Sequence, residues 1–588
     1  MVWQQVDRIN YEDFIKRSKF ILFFILIFFI LISFRLFFLQ VIKGKYYFSI
    51  SERQHTSIII ERAPRGEIYD VNGNLLVRNK SAFVVYFYPF IESKTSPDDI
   101  VTQLSTILGR NLRVNIRSGW HIVKLADLSR EELFLVQEKR LSIPGIAVIE
   151  EPERIAEFPE TTSHLVGYLS EIAPDELKRL SHVGYRIGDL VGRGGLEQQY
   201  DGLIRGKNGG WKVEVDALGR QLKMLKHVTP VKGNRLYTTI DLKLQDICAD
   251  ALKNSKTGRG AVIAMDPRSG AVRAFVSMPG FNTNFSTRKE FYKYLEDGNY
   301  PFYNRAVQAI YPPGSVFKII TFIAGLAEEK ISTEDKYTCR GNFRLGRQNF
   351  ACWRKKSGHG QLALMRALVE SCNVYFYNIS LKIGQKALEK WARKFNLGKK
   401  TGIDIPSEKD GLIPSFDWKL NKRKDTWKLG DTVNMAIGQG SVLVTPMQMA
   451  SLISTVANGG TIYKPYIVEK MLDDEGNVVK EYVPVESGKV QLTDEVWDLL
   501  HEGLEKVVSK GTGGWCYFKN FMIAGKTGTA QNPQGDDHAW FVSYAPAENP
   551  ELALVVLVEN GGSGGSIAAP IARKIYWKYY RDRIKKGK

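Results

Sequence analysis

Residues 20–42 read FILFFILIFFILISFRLFFLQVI, 23 positions in which only Ser33, Arg35 and Gln40 interrupt an apolar run. This run constrains the fold more than any other feature. At about 1.5 Å per residue it can span a bilayer's hydrocarbon core. Folded in water it would be a helix apolar on every face. Arg35 lies toward the end of the run, where its head can snorkel to the interface. Arg8, Lys16, Arg17 and Lys19 precede the run. Cations on that side predict residues 1–19 on the cytoplasmic side of a single-pass membrane helix, with everything after residue 42 outside. No small-residue cleavage pattern follows, so an uncleaved anchor is expected rather than a removed leader. A buried core helix is the competing reading, and the phenylalanine-rich run at the start of the chain suits it poorly.

The remaining chain is long enough for two or three cored domains, with 588 residues and 44% hydrophobic content. Lysine and arginine number 82 against 63 acids, a net charge of +19. Such an excess suits nucleic acid, anionic lipid or an acidic polymer. No basic run interleaved with aromatics and no nucleic-acid motif spacing is present, which argues for a membrane or cell-wall setting and no nucleic acid.

Residues 43–235 look irregular and elongated. Asn72-Gly73 marks a tight turn, with LLV and then FVVYFY as the strands that follow. DLSREELFLVQEKR is a charged helical stretch, and glycines cluster at GRGG (192–195) and GKNGG (206–210). No internal repeat is visible.

The pattern changes near residue 235. LYTTID reads as a strand and LKLQDICADALKN as a helix with one apolar face. AVIAM and AVRAFVSM are apolar strands around the turn DPRSG (266–270), and KNFMIAGKTGT, HAWFVSYAP and ELALVVLVEN are three more near the end of the chain. A last helix is expected at about 567–580. Strands from both ends of the region with a helical middle predict an α+β domain over 236–577, a five-stranded antiparallel sheet covered by helices. A basic tail, 578–588, follows.

Three serine or lysine motifs compete for the chemistry. GGSGG (561–565) fits a hydrolase nucleophile elbow, but that scaffold needs a later histidine and the last one is His538. AGKT (524–527) resembles the end of a phosphate loop, yet Asn520 stands where the pattern needs glycine. YPPGSVFK (311–318) is the third. Its prolines lead into a helix, so Ser315 falls near a helix N-terminus, with Lys318 one turn on and able to hydrogen-bond to it. Burial among Val316, Phe317 and the following isoleucines lowers a lysine pKa and makes it a usable base.

Ser371-Cys-Asn373 supplies an S-x-N triplet 56 residues after Ser315, and Lys526-Thr527-Gly528-Thr529 lies 155 residues beyond Ser371. S-x-x-K, S-x-N and K-T-G in this order form the signature of penicillin-binding proteins and class A β-lactamases.

At this point the chain resembles the class B penicillin-binding proteins, membrane-anchored D,D-transpeptidases of cell-wall synthesis. Six blocks carry the likeness: APRGEIYDVNGNLL (63–76), GRGGLEQQYDGLIRGKNG (192–209), DALGR (216–220), TTIDLKLQ (238–245), YPPGSVFK (311–318) and AIGQGSVLVTPMQMA (436–450). The long glycosyltransferase domain of class A members has no counterpart. CWRKKSGHG (352–360) followed by ESCN (370–373) is similar to the elongation-type branch.

The resemblance implies Ser315 as nucleophile, Lys318 as its base and Ser371 as proton relay, with Asn373 on the substrate amide. It implies Lys526, Thr527, Gly528 and Thr529 at the substrate carboxylate, and backbone N–H groups of Ser315 and Thr529 as oxyanion hole. It also implies peptidoglycan stem peptides as substrates, β-lactams as inhibitors, residues 43–235 as a pedestal of the dimerisation type, and a RodA-type membrane glycosyltransferase and MreC as partners. A β-lactam sensor and a catalytically silent scaffold are the alternatives. The full motif set argues against a silent scaffold, and the absence of a cytoplasmic domain argues against a sensor. A β-lactamase would need a base for its deacylating water, and none is identifiable.

Five cysteines cannot all pair within one chain. Cys339, Cys352 and Cys372 fall within 34 residues, and His359 lies among them. Three sulfurs and an imidazole suit a tetrahedral structural zinc. The resembling branch has members with zinc in this segment, using acidic residues at some of these positions. A Cys339–Cys352 disulfide, which would strand Cys372, and inert buried thiols remain the other readings.

Overall fold

The computed structural model describes residues 11–45, 47, 56–87, 96–112, 114, 123–139, 143, 145–215, 221–285 and 287–586. Arg8, the 216–220 block and the last two residues of the basic tail lie outside the described residues. Tyr11–Phe37 form one α-helix, which continues through a π-helical turn at Phe38–Ile42. Phe14–Ile42 is the one span among the described residues long and apolar enough to cross a membrane. Its phenylalanine, isoleucine and leucine side chains point outward all round, an arrangement lipid tolerates and water does not.

The chain forms two compact units. One comprises residues 1–63, 81–152 and 207–231, and the other residues 64–80, 153–206 and 232–588. In the first, Thr56–Glu61, Gly209–Val215 and Gln221–Val228 make a three-stranded antiparallel sheet. A separate small core gathers Val85, Ile100, Leu104, Leu125, Leu133, Val136 and Ile146. The helix Pro97–Leu108 starts on a Ser96 cap and stops at Gly109 in the left-handed region, and the expected charged helix is Arg130–Lys139. The two strands expected after the Asn72-Gly73 turn are one continuous strand, Leu75–Phe87. The polar residues between the apolar stretches stay extended because neighbours hold them, Asn79 Nδ2 donating to the Arg65 carbonyl at 2.6 Å.

In the second unit two sequence blocks far apart in the chain meet in a buried ionic cluster. Arg65 donates to Glu197 at 2.6 Å and to Asp201 at 2.7 Å, Arg154 donates to Glu197 at 2.8 Å, and Tyr185 donates to Asp201. Removing one partner of such a cluster leaves an uncompensated buried charge. Arg65→Ala is therefore expected to lower stability by about 3–5 kcal/mol, read in denaturant melts of the two proteins. A loss below about 1 kcal/mol would mean the cluster is solvated in practice.

The main sheet of this unit has five antiparallel strands: β1 (Gly260–Met265), β2 (Val272–Met278), β3 (Ala524–Ala530), β4 (His538–Ala545) and β5 (Leu552–Val558), in the order β2-β1-β5-β4-β3. Val262 lies opposite Val276 on one side and Val556 on the other, and Lys526 lies opposite Val542. Successive strand residues alternate between two cores. Ile263, Phe275, Val555 and Leu557 join the larger core, whereas Val262, Val276, Leu554 and Val556 join the other. Helix α1 (Leu242–Lys253) and the C-terminal helix Ala569–Tyr579 cover the second face, and Pro446–Ala457 covers the first. A sheet buried on both faces explains why β5, LALVVLV, is apolar without alternation. Cys248 and Cys516 both lie in the second core as packing residues. β3 is an edge strand, so one row of its backbone groups faces outward.

Candidate active site

Pro312 and Pro313 deliver the chain to Gly314, whose φ of 56° is left-handed. A side chain at 314 would also run into the Thr529 carbonyl, with its Cβ 2.6 Å away. The loop is pinned from both sides: Gly314 N donates to Gly438 O at 3.0 Å, and Trp540 Nε1 donates to Pro312 O at 3.0 Å. Gly528 makes the same close approach from β3, since a Cβ there would lie 2.8 Å from Pro313 O and Val316 Cγ2. Glycines at 314 and 528 let the nucleophile turn and the edge strand touch.

Ser315 sits partly exposed in the 3₁₀ turn Gly314–Phe317, which feeds α2 (Lys318–Ala327). Lys318 is fully buried. Its amine donates to Ser371 O at 2.7 Å, Ser371 Oγ at 3.2 Å and Asn373 Oδ1 at 2.7 Å. Burial pushes its pKa down to about 8. The hydrogen bond expected between Ser315 and Lys318 does not form: Ser315 Oγ has no hydrogen-bond partner among the described residues. Three oxygens around the S-x-N turn offer the amine more than one hydroxyl could.

Ser371 lies between the helices α3 (Leu364–Val369) and α4 (Asn373–Ile383) at φ 52°, a left-handed conformation for a non-glycine residue. Holding it there costs on the order of 1–3 kcal/mol. Its Oγ also accepts from the Lys526 amine at 2.9 Å. Lys526 is fully buried on β3, and burial, with the charge of Lys318 nearby, drives its pKa well down. One serine hydroxyl thus bridges two buried amines. Two ammonium ions at that separation repel, so the pair favours at least one free base.

Thr527 Oγ1 pairs with Thr512 Oγ1 at 2.7 Å. Thr529 Oγ1 accepts from Gly564 N at 3.2 Å, and its carbonyl accepts from Gln439 Nε2 at 3.4 Å. Thr512, Gln439 and Gly564 were invisible as site residues in the sequence; Gly564 belongs to the rejected GGSGG motif. Tyr311 and Glu559 were missed as well. The Tyr311 hydroxyl donates to Glu559, whose other oxygen takes Arg305 Nε at 2.9 Å, tying the serine loop to the end of β5. Gln439 and Tyr311 left a trace, inside the AIGQG and YPPGSVFK blocks.

The four residues proposed as metal ligands come together. Cys339, Cys352, His359 and Cys372 are buried, and their sulfur and nitrogen atoms lie within 4.8 Å of one another. His359 Nδ1 is 3.4 Å from Cys339 Sγ and 3.5 Å from Cys352 Sγ. Tetrahedral zinc with bonds of about 2.0 and 2.3 Å would place such atoms about 3.6 Å apart, so the spacing fits. All five cysteines are free thiols. Hydrogen bonds from Cys372 and then His359 hold the Cys352 thiol well below its usual range. His359 Nε2 is buried without a hydrogen-bond partner.

Comparison with known proteins matches this geometry to a family. The penicillin-binding protein transpeptidase domain matches residues 260–577, and the penicillin-binding protein dimerisation domain matches residues 60–238. The peptidoglycan D,D-transpeptidase MrdA of Acinetobacter baumannii is 32% identical over 580 residues, covering 93% of this chain and 85% of that protein. Among solved structures, the penicillin-binding protein 2 (PBP2) chain in complex with MreC from Helicobacter pylori superposes with a TM-score of 0.75 at 27% identity, covering 90% of this chain and 99% of that one. A chain of a peptidoglycan synthase complex that coordinates polymerization and crosslinking gives 0.71 at 28% identity, covering 96% and 98%. With the two domain matches spanning most of its length and the three motifs joined by hydrogen bonds, the chain belongs to the class B penicillin-binding proteins, of the penicillin-binding protein 2 type.

Proposed function

We propose that this protein cross-links peptidoglycan stem peptides through a serine acyl-enzyme, with Ser315 as nucleophile, on the outer side of the cytoplasmic membrane during cell elongation. The activity class is peptidoglycan D,D-transpeptidase, and β-lactams target it. The observation that carries the mechanism is Ser371 Oγ, held 3.2 Å from the Lys318 amine and 2.9 Å from the Lys526 amine beside the Ser315 turn.

Lys318, free of its proton, takes the Ser315 hydroxyl proton as Oγ attacks the D-Ala-D-Ala carbonyl. The oxyanion is met by the backbone N–H groups of Ser315 and Thr529. The proton passes through Ser371 to the departing D-alanine amine, and Asn373 holds the substrate amide once substrate competes for its side chain. Lys526, Thr527 and Thr529 receive the substrate carboxylate, while Gly528 lets the donor peptide lie along the β3 edge. The amine of a second peptide then attacks the ester and restores Ser315.

Zinc, when bound to Cys339, Cys352, His359 and Cys372, would serve as a structural ion. These residues hold the 339–360 segment against the S-x-N turn, because Cys372 lies between Ser371 and Asn373. The cations preceding the apolar span support an outside position for the catalytic unit. Residues 43–235 form the pedestal for a RodA-type glycosyltransferase, with MreC as a further partner; the PBP2–MreC and synthase-complex likenesses support this reading. The domains run 1–19, 20–42, 43–235, 236–577 and 578–588.

Fluorescent penicillin tests the nucleophile. Wild type should become covalently labelled, Ser315→Ala should not, and both should melt at similar temperatures. Undiminished labelling of the folded variant would remove Ser315 from the mechanism.

A further inference from the structure

One segment at the site carries more charge than folding or the chemistry above uses. Residues 339–360 contain six cations (Arg340, Arg344, Arg347, Arg354, Lys355 and Lys356) and no aspartate or glutamate. All six are exposed. Among the described residues only Arg354 has an ion-pair partner, Glu370 at 3.6 Å. Like charges crowded on one short excursion repel one another, so this pattern costs stability rather than adding to it.

The excursion is well built. Asn342–Leu345 and Gln348–Ala351 form an antiparallel hairpin with Phe343 opposite Phe350. Those two rings pack on Tyr377 of α4 at 5.8 and 5.7 Å, which turns the apolar side inward and leaves Arg344 on the outer side. Its root meets the catalytic turn directly: the Ala351 carbonyl accepts from Tyr377 OH at 3.2 Å and from Asn373 Nδ2 at 3.4 Å. A fixed, basic hairpin therefore stands on the S-x-N wall of the cleft. The donor peptide's carboxylate is assigned to residues of β3.

We propose that this hairpin, with Arg354, Lys355 and Lys356 at its base, docks the acceptor strand by its peptide carboxylates. The inference rests on the transpeptidase reading, which requires a second, still uncross-linked peptide to reach the acyl-enzyme. Such a peptide ends in a free carboxylate of its own, and the polymer repeats it at intervals, so exposed cations can engage several at once. Individually these contacts are weak and salt-screened; together they concentrate the acceptor at the ester.

The test uses the full-length protein in detergent with uncross-linked peptidoglycan strands as probe. The triple variant Arg347→Gln, Lys355→Gln, Lys356→Gln removes charge from exposed side chains that are not among those assigned to the donor. Its acylation by penicillin should stay within about twofold of wild type, while cross-linking falls about tenfold through a higher KM for strands. Wild-type cross-linking should weaken with added salt and the variant's should weaken less, and Arg347→Lys alone should behave as wild type. Unchanged cross-linking with unchanged salt dependence would overturn the docking role. Loss instead of binding to anionic lipid vesicles, with cross-linking intact, would assign the hairpin to the membrane and also overturn it. Failure of wild type to be acylated by penicillin would sink the transpeptidase reading itself.

Discussion

Lys318→Ala is expected to slow acylation by β-lactam by about 10²–10⁴-fold while leaving the fold intact. The amine is the buried base one helical turn from Ser315, and a serine hydroxyl without a base is a poor nucleophile. Burial sets its working range. With a pKa near 8 rather than the usual 10.5, about one lysine in ten is already neutral at pH 7. The active form is the deprotonated one, so the sign follows. Wild-type acylation should rise about tenfold per pH unit below 8 and level off above it, whereas an ordinary lysine would keep rising through pH 10. Stopped-flow acylation across pH gives both numbers, and Lys318→Ala should lose this limb. A near-normal rate in the folded variant would show that Lys526 or another group takes the Ser315 proton.

The second large effect concerns the thiol cluster. The detergent-solubilised protein is expected to carry about one zinc per chain. Cys352→Ser should lower zinc affinity by at least about 100-fold and slow acylation at the same time. The coupling is geometric: Cys372 is the middle residue of Ser371-Cys-Asn373 and the N-cap of α4, so whatever fixes its sulfur also fixes the relay serine and the amide-binding asparagine. Ser371 already sits in a strained left-handed conformation, and releasing its neighbour would let it relax away from both lysines. Elemental analysis without metal, together with a thiol titre two short of five, would assign Cys339 and Cys352 to a disulfide instead.

Much of this was legible in the chain before any coordinates. Local chemistry is written locally: an apolar run longer than a bilayer is thick, a turn residue such as Gly73, and a serine one helical turn from a lysine behind two prolines. The sheet was legible too, because β1, β2, β4 and β5 are apolar enough to read as buried strands from either end of the domain. Their pairing order was not, since β1 beside β5 joins residues nearly three hundred positions apart and strand spacing carries no such information. The same limit applied at the site. The sequence suggested Ser315 as the partner of Lys318, and only packing turned that amine to Ser371 and Asn373, because three oxygens from a distant turn outcompete one hydroxyl nearby. Glu559 and Thr512 gained their roles from the folded contacts alone, each a common polar residue in an unremarkable stretch. The four side chains proposed as metal ligands could be named from the sequence by type, but only the tertiary structure brought them within 4.8 Å of one another. A ligand set depends on distances through space, and these arise when a β-hairpin folds back onto the start of a helix.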